Sequence, residues 1–461
     1  SDHFEQVTVI DRDHLPTDAT PRGGVPQSRH VHQLLVGGLR VIEKLFPTIH
    51  DDLTAIGAKK MQMGYNSVTA TRFGFMPPVK TGLWTYTCSR PALEYVIRKT
   101  VQALRNVRFV MGHKAISLLT SDDQKTAQGV RTEQRRTRET QDFTGDLVVD
   151  ASGRRSLASD WLTELGYAAP EVTYVNSHTG YATCWFEKPA YAPDDTPMLM
   201  SLGDDENPRS CVIIEAEGDR WLALVSSKNA DYPPNDVAGF LDFAKSSPSP
   251  LTYNYLKDAK PISPVYGIRT TYNQWRHYEK LDRRPENFVI TGDAACAFNP
   301  VYGQGMSVSA MDAELLGKIL AQYEGRDLTG FATEFQKALG KLVSIPFTLA
   351  SADDMRQPSA EGDIPQQSAI MKLLGGYSQL VVGAAFTDDA VRNCFLQVSS
   401  LIKPPTALFT PNIIARSLLF AFQMKFRPQS LPKLPQDGVL NVPLEPNTQS
   451  AQAEPLPAAG D

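Results

Sequence analysis

The stretch NFVITGDAACAFNPVYGQGM (residues 287–306) limits what this chain can fold into more than any other. An apolar, strand-like run ends at Thr291, Gly292 and Asp293. After a short loop, a helical period begins near Gly305, with Val308, Met311, Leu315 and Ile319 on one face. Open α/β sheets bind ligands in such loops, outside the carboxyl ends of their strands. Gly303 and Gly305 carry no Cβ, so a flat or phosphorylated ligand could touch the main chain there. The helix start offers free N–H groups and partial positive charge. Asp293, at the strand end, suits hydrogen bonds from sugar-type hydroxyls. A tight strand-to-helix turn with a glycine cap accounts for the same residues equally well.

A second strand-like run, VTVID (7–11), closes on Asp11. An acid at the end of the second strand of a dinucleotide fold binds ribose hydroxyls. A strand-end Asp capping the next turn is the simpler reading, and alone the two are level. Between these runs the chain alternates. Gln33 to Leu45 reads as a helix. SRPALEYVIRKTVQAL (89–104) reads as another, with Ser89 as N-cap, Pro91 in the first turn, and Leu93, Ile97, Val101 and Leu104 on one face. VRFV (107–110) and DLVVDAS (146–152) are strand-like. Residues 172–285 are β-rich and aromatic, and the chain to about 427 is mostly helical.

This order predicts an α/β fold: a Rossmann-like domain with an inserted β-rich substrate domain and a helical C-terminal region. The expected division places the dinucleotide domain at 1–66, 89–170 and 286–325. The β-rich domain takes 67–88 and 171–285, and the helical region 326–427. The tail, 428–461, has seven prolines and little period, which predicts disorder.

Composition narrows the function. Net charge is −5, which argues against a nucleic-acid partner. The basic run Arg131 to Arg138 reads as a solvated hairpin face. Five scattered cysteines without a C-x-x-C fit a reducing compartment, hence the cytoplasm. His30 and His32 lack a third ligand nearby, so hydrogen-bonding roles are expected and no metal site. No apolar run reaches the roughly 18 residues of a membrane span. PNIIARSLLFAFQMKF (411–426) could lie on a membrane surface or cover an apolar pocket, but a packed C-terminal helix is the stronger expectation.

VTVIDRD, GVPQSRHVHQLL, CSRPALEYVIR, DLVVDASGRRS and GDAACAFNPVYGQGM occur in this order. Together they resemble the single-component FAD-dependent monooxygenases, the aromatic-hydroxylase and squalene-epoxidase-like class, from residue 6 to about residue 325. The pairing of GVPQSRHVH with AFNPVYGQGM looks most like the flavin-dependent polyene epoxidases of polyether biosynthesis. The resemblance implies FAD as cofactor, NAD(P)H as reductant, and oxygen transfer to a small molecule through a C4a-hydroperoxyflavin. It implies that Asp11 binds the adenosine ribose and that Arg29 lies near the cofactor. Arg90 would contact the pyrophosphate or ribityl region, and Asp293 a ribityl hydroxyl. Pro300, Gly303, Gly305 and Met306 would flank the isoalloxazine ring.

The chain departs from the family pattern twice. Ser152 stands where the middle motif usually has Asp, which leaves the reductant open. In the family, a first strand with a G-x-G-x-x-G turn precedes the acid-bearing strand. Gly23-Gly24 follows that strand and cannot substitute. The expectation is that about 30 residues, one strand–turn–helix unit, precede Ser1 in the natural protein.

Trp84, Tyr86, Tyr181, Trp185, Phe186, Phe298 and Tyr302 are candidate pocket residues, although ordinary core packing suits each one. An apolar pocket favours an isoprenoid or polyketide over a charged aromatic acid. Two other functions remain open: an FAD-dependent reductase without oxygen insertion, and a non-catalytic carrier of an apolar molecule. A flavin halogenase is disfavoured, because W-x-W-x-I-P is absent.

Overall fold

The structure, a computed structural model, describes residues 2–72, 74–193, 195–364 and 369–426. The proline-rich tail lies outside the described residues. The fold is mixed α/β, as the alternating pattern predicts.

Short apolar runs form two parallel pairs. Val7–Asp11 pairs with Val107–Met111, and Val148–Asp150 pairs with Phe288–Ile290. Each pair is a separate two-stranded sheet. Phe288, Val289 and Ile290 are fully buried, as central parallel strands should be. Val7–Asp11 has no fully buried residue, and Val149, in mid-strand, is 40% exposed.

The β-rich segment supplies five strands of a nine-stranded sheet around the strand Val172–Glu187, and residues 67–75, 296–297 and 361–362 supply the rest. This strand pairs antiparallel with Arg220–Ser227 on one side and Tyr266–Arg276 on the other. Side chains alternate between faces along it. Ala182, Cys184 and Phe186 pack under the helices Val237–Lys245 and Leu251–Leu256, against residues such as Phe240 and Leu256. Tyr181 and Thr183 point the other way, onto His30.

The helix Arg90–Gln102 starts as its sequence signals predict. Ser89 Oγ accepts from the Ala92 N–H at 3.2 Å, and Pro91 lies in the first turn. Its buried face is Ala92, Leu93 and Val96, with Ile97 packed alongside. Leu104 lies beyond the helix end and is exposed, so the apolar stripe is shorter than its spacing suggests. The first helix begins at Val36, three residues later than expected. The basic run is a hairpin face whose Arg131 pairs with Asp142 and Arg138 with Glu133.

The C-terminal third is helical. Phe331–Asp354 packs on the Phe288–Ile290 pair through Phe335 and Leu339. Pro411–Phe426 packs on Ala369–Ala384, burying Ile413 and Phe420 and leaving Leu418, Leu419 and Phe422 exposed. Among the described residues, no helix is long and apolar enough to cross a membrane.

Candidate functional site

The carboxyl ends of Val148–Asp150 and Phe288–Ile290 open onto the loop that carries the glycines. Thr291 leaves the strand, Gly292 turns at φ 59°, and Asp293 follows. Asp312, on the helix Gly305–Leu320, fixes the turn: its Oδ2 accepts from the Gly292 N–H at 3.0 Å and from Thr291 at 3.3 Å. Burial pushes the Asp312 carboxyl up to about 7, with Asp293 adding to the rise. Its Oδ1 is buried without a partner.

Asp293 faces a cluster of guanidiniums. Burial raises its carboxyl, while Arg154, Arg90 and Arg276 pull it back down. Arg154 Nε lies 3.9 Å from Asp293. The rest of that guanidinium is fixed by the carbonyls of Tyr272, at 2.9 Å, and Phe298. Arg276 in turn donates to the carbonyls of Ala294 and Arg154. Arg90, at the helix start, is paired with Glu94 at 3.1 Å.

The loop then narrows. Asn299 Oδ1 accepts from the Val301 N–H, Pro300–Tyr302 makes one 3-10 turn, and Gly303 sits at φ 66°. A Cβ on Gly303 would meet nothing within 4 Å, and one on Gly305 only Asp293, at 3.9 Å. The main chain here faces open space. Gln304 Oε1 is buried without a partner beside it.

Across from the loop lie two histidines. His30 Nδ1 is 2.8 Å from Thr183 Oγ1, and the ring meets Tyr181 edge-on with centroids 4.7 Å apart. His32 Nδ1 bonds the His30 carbonyl at 2.9 Å. Burial pushes His30 down to about 3 and His32 to about 4, so both are neutral at physiological pH. They take hydrogen-bonding roles, as expected. His32, Tyr86, Ser89, Arg90 and Met306 line one small cavity. Arg29 lies over the Tyr266 ring, 4.9 Å from its centroid.

The structure thus brings Arg90, Met306 and Tyr86 together, and Asp293 with Phe298 through Arg154. Tyr181 stands on the sheet face that meets His30. Phe186 does not join them: one residue out of phase with Tyr181 and Trp185, it is buried on the opposite face against Phe240. Trp185 packs under Arg220 among methionines, and Trp84 under Lys60. Tyr302 turns its hydroxyl away into a pair of carboxylates, Asp353 and Asp354.

Asp11 ends its strand beside Arg22, which bridges three acids: Asp11 at 3.1 Å, Asp13 at 3.0 Å and Glu94 at 2.9 Å. Beyond it, an open cleft of about 540 Å³ is lined by Arg12, Asp13, His14, Arg22 and Arg135, among others. Sequence reasoning missed Arg22, Arg154, Arg276 and Asp312. Only Arg154 carried a usable signal, since it directly follows Gly153 in a quoted motif.

No family model matches the chain. Protein Rv3254 of Mycobacterium tuberculosis (strain ATCC 25618 / H37Rv) is 27% identical over 444 residues, which cover 93% of this chain and 91% of that protein. Among solved structures, the flavin-dependent brominase Bmp2 is similar at 13% identity and TM-score 0.61, over 91% of this chain and 99% of the brominase. A flavoprotein/dehydrogenase from Cytophaga hutchinsonii matches at 10% identity and TM-score 0.61, over 91% and 92%. PqsL, a probable FAD-dependent monooxygenase from Pseudomonas aeruginosa, matches at 15% identity and TM-score 0.55, over 76% and 91%. The chain has the fold of flavin-dependent halogenases and monooxygenases. The loop and helix start described above therefore lie within that fold.

Proposed function

We propose that this chain is an FAD-dependent oxygenase that takes electrons from NAD(P)H and places one atom of O2 on an apolar small molecule, by epoxidation or hydroxylation. The observation that carries the reading is the open main chain at Gly303 and Gly305, directly before the helix Gly305–Leu320. A flat ring fits where no Cβ intrudes. The first-turn N–H groups and the helix dipole would favour negative charge on its edge by about 0.3–1 kcal/mol. The unpartnered Gln304 Oε1 adds a hydrogen-bond acceptor at the same place.

The residues present fit FAD. Asp293 would hold a ribityl hydroxyl, Arg90 the pyrophosphate or ribityl region, and Asp11 the adenosine ribose. FAD supplies the redox and oxygen chemistry when bound; the chain binds, orients and excludes water. Neutral His30 and His32 would put no charge on their side of the loop, and Tyr181 stands edge-on to His30 there.

The full-length natural protein should purify yellow, and a colourless protein that takes up no FAD refutes the reading. The similarity to a flavoprotein/dehydrogenase favours one alternative, an FAD-dependent reductase without oxygen insertion. Turnover under heavy-isotope oxygen separates the two, since only the oxygenase labels its product.

A further inference from the structure

We propose that Asp354 is a positioning residue that sets the height and tilt of the Asn299–Gly305 loop against the flavin ring. The inference rests on the flavin reading above. Asp354 is the last residue of the helix Phe331–Asp354 and is 0% exposed. Its Oδ1 accepts from Tyr302 at 2.6 Å and from Ser177 at 2.7 Å. Its Oδ2 accepts from Asn273 at 2.8 Å and from Asn299 at 3.0 Å. Four donors fill the four lone-pair positions of a carboxylate.

Those donors come from three places. Asn299 and Tyr302 stand at the two ends of the turn before Gly303. Ser177 belongs to the central strand of the large sheet, and Asn273 to its neighbour Tyr266–Arg276. One carboxylate therefore ties the loop to the wall opposite. The amide orientations are fixed as well. Asn273 gives its Nδ2 to Asp354 and uses its Oδ1 to accept from the Asn299 N–H at 2.8 Å. Neither amide can turn over without breaking a second bond.

Helix stability does not explain an acid here. A buried carboxylate is costly, and a helix C-terminus favours cations. A second acid precedes it: Asp353 Oδ2 lies 3.1 Å from the Tyr302 hydroxyl, and Asp353 pairs with Lys228 and Arg356. Tyr302 has a single proton to donate, and the shorter bond goes to Asp354. Its backbone runs straight into Gly303, so a shift of the phenol shifts the N–H array of the helix start. Misplacing reacting groups by about 1 Å can lower rate about 100-fold.

The test uses D354N in the full-length protein. The variant keeps the shape but turns an acceptor into an NH2 group among donors. We expect an altered visible flavin spectrum and a kcat lower by about 100-fold, with the KM for NAD(P)H little changed. Y302F removes one donor and keeps the ring, and should lose about ten-fold in kcat. The double variant should be no worse than D354N, because both changes cut one link. A wild-type spectrum with kcat within about threefold of wild type in either variant, or losses that multiply in the double variant, would overturn the proposal. If D354N does not fold, Y302F alone decides. If the wild-type protein takes up no FAD, the flavin reading fails first. Hydrogen exchange at residues 303–307 then tests Asp354 by itself: faster exchange in Y302F supports the tie, and unchanged exchange ends it.

Discussion

The two sides of the candidate site are held by different forces. The loop at 299–306 is bound into a buried, neutral-to-anionic hydrogen-bond network of Ser177, Thr179, Asn273, Asn299, Tyr302 and Asp354, flanked by the apolar residues around Phe298 and Phe335. The Asp11 side rests on a two-stranded pair without a fully buried residue in its first strand, and on the ion pairs that meet at Arg22. Hydrogen bonds sealed from water fix geometry, whereas partly exposed ion pairs respond to salt and to bound ligand. On the flavin reading, the first side would hold a ring at a set distance, and the second would be completed by what binds there.

The largest effect should come from the apolar support of the first side. Phe335→Ala empties a fully buried site in the apolar core that flanks the loop. Urea unfolding should show a loss of about 3–5 kcal/mol. Val9→Ala, in the narrow pair, should cost no more than about 1 kcal/mol. Equal losses at the two positions would erase the contrast.

Next is Arg22→Met, which keeps the aliphatic stem and leaves Asp11, Asp13 and Glu94 without their common cation. Removing one partner from a partly buried cluster should cost about 2–3 kcal/mol at low salt. Salt screens the repulsion left behind, so the loss should shrink at high ionic strength. A loss independent of salt would show that packing, not charge, holds this side.

Much of the first side was legible in the sequence, and little of the second. Residues 287–320 carry their own signals: an apolar run, glycines that open the turn, and a helical period. Local rules read such signals directly. Asp354 carries none, because its partners Tyr302 and Ser177 lie 52 and 177 residues away, and Arg22 carries none, because only the folded chain brings it to Glu94, 72 residues on. Tyr181 and Phe186 show a middle case. Their separation by an odd number of residues puts them on opposite faces of a strand, so the period alone could have excluded Phe186 from the pocket. The bulge near His178 changes the register upstream, where the same count would mislead.

A smaller effect follows from Asp312. An unfolded Asp titrates near 4, and in the native state burial holds Asp312 at about 7. Between those values the unfolded chain is ionised while the native one keeps the proton. Stability should therefore fall as pH rises from about 4 to about 7 and level off above, by a few kcal/mol at most. Asp312→Asn retains an acceptor for the Gly292 N–H and should remove that slope. Melting curves of the two proteins at pH 5 and pH 8 check it: the variant should gain on the wild type at the higher pH.

A modest change in stability should accompany the sharpest change in binding. Gly303 takes φ 66°, a region that an L-residue enters at a cost of about 1–2 kcal/mol. An added Cβ there meets nothing within 4 Å, so Gly303→Ala carries that backbone cost and no clash. The FAD-free protein should melt only slightly lower. With FAD the outcome differs, since a ring lying on this main chain must move away from the new methyl group. FAD affinity should fall at least about ten-fold, well beyond what the lost stability explains. Gly166→Ala is the matched control. It also has positive φ and open space around a Cβ, but lies after the helix Ala158–Glu164, outside the candidate site. A Gly303 variant that binds FAD as tightly as the Gly166 variant would mean that the open space before the helix is not where the ring lies.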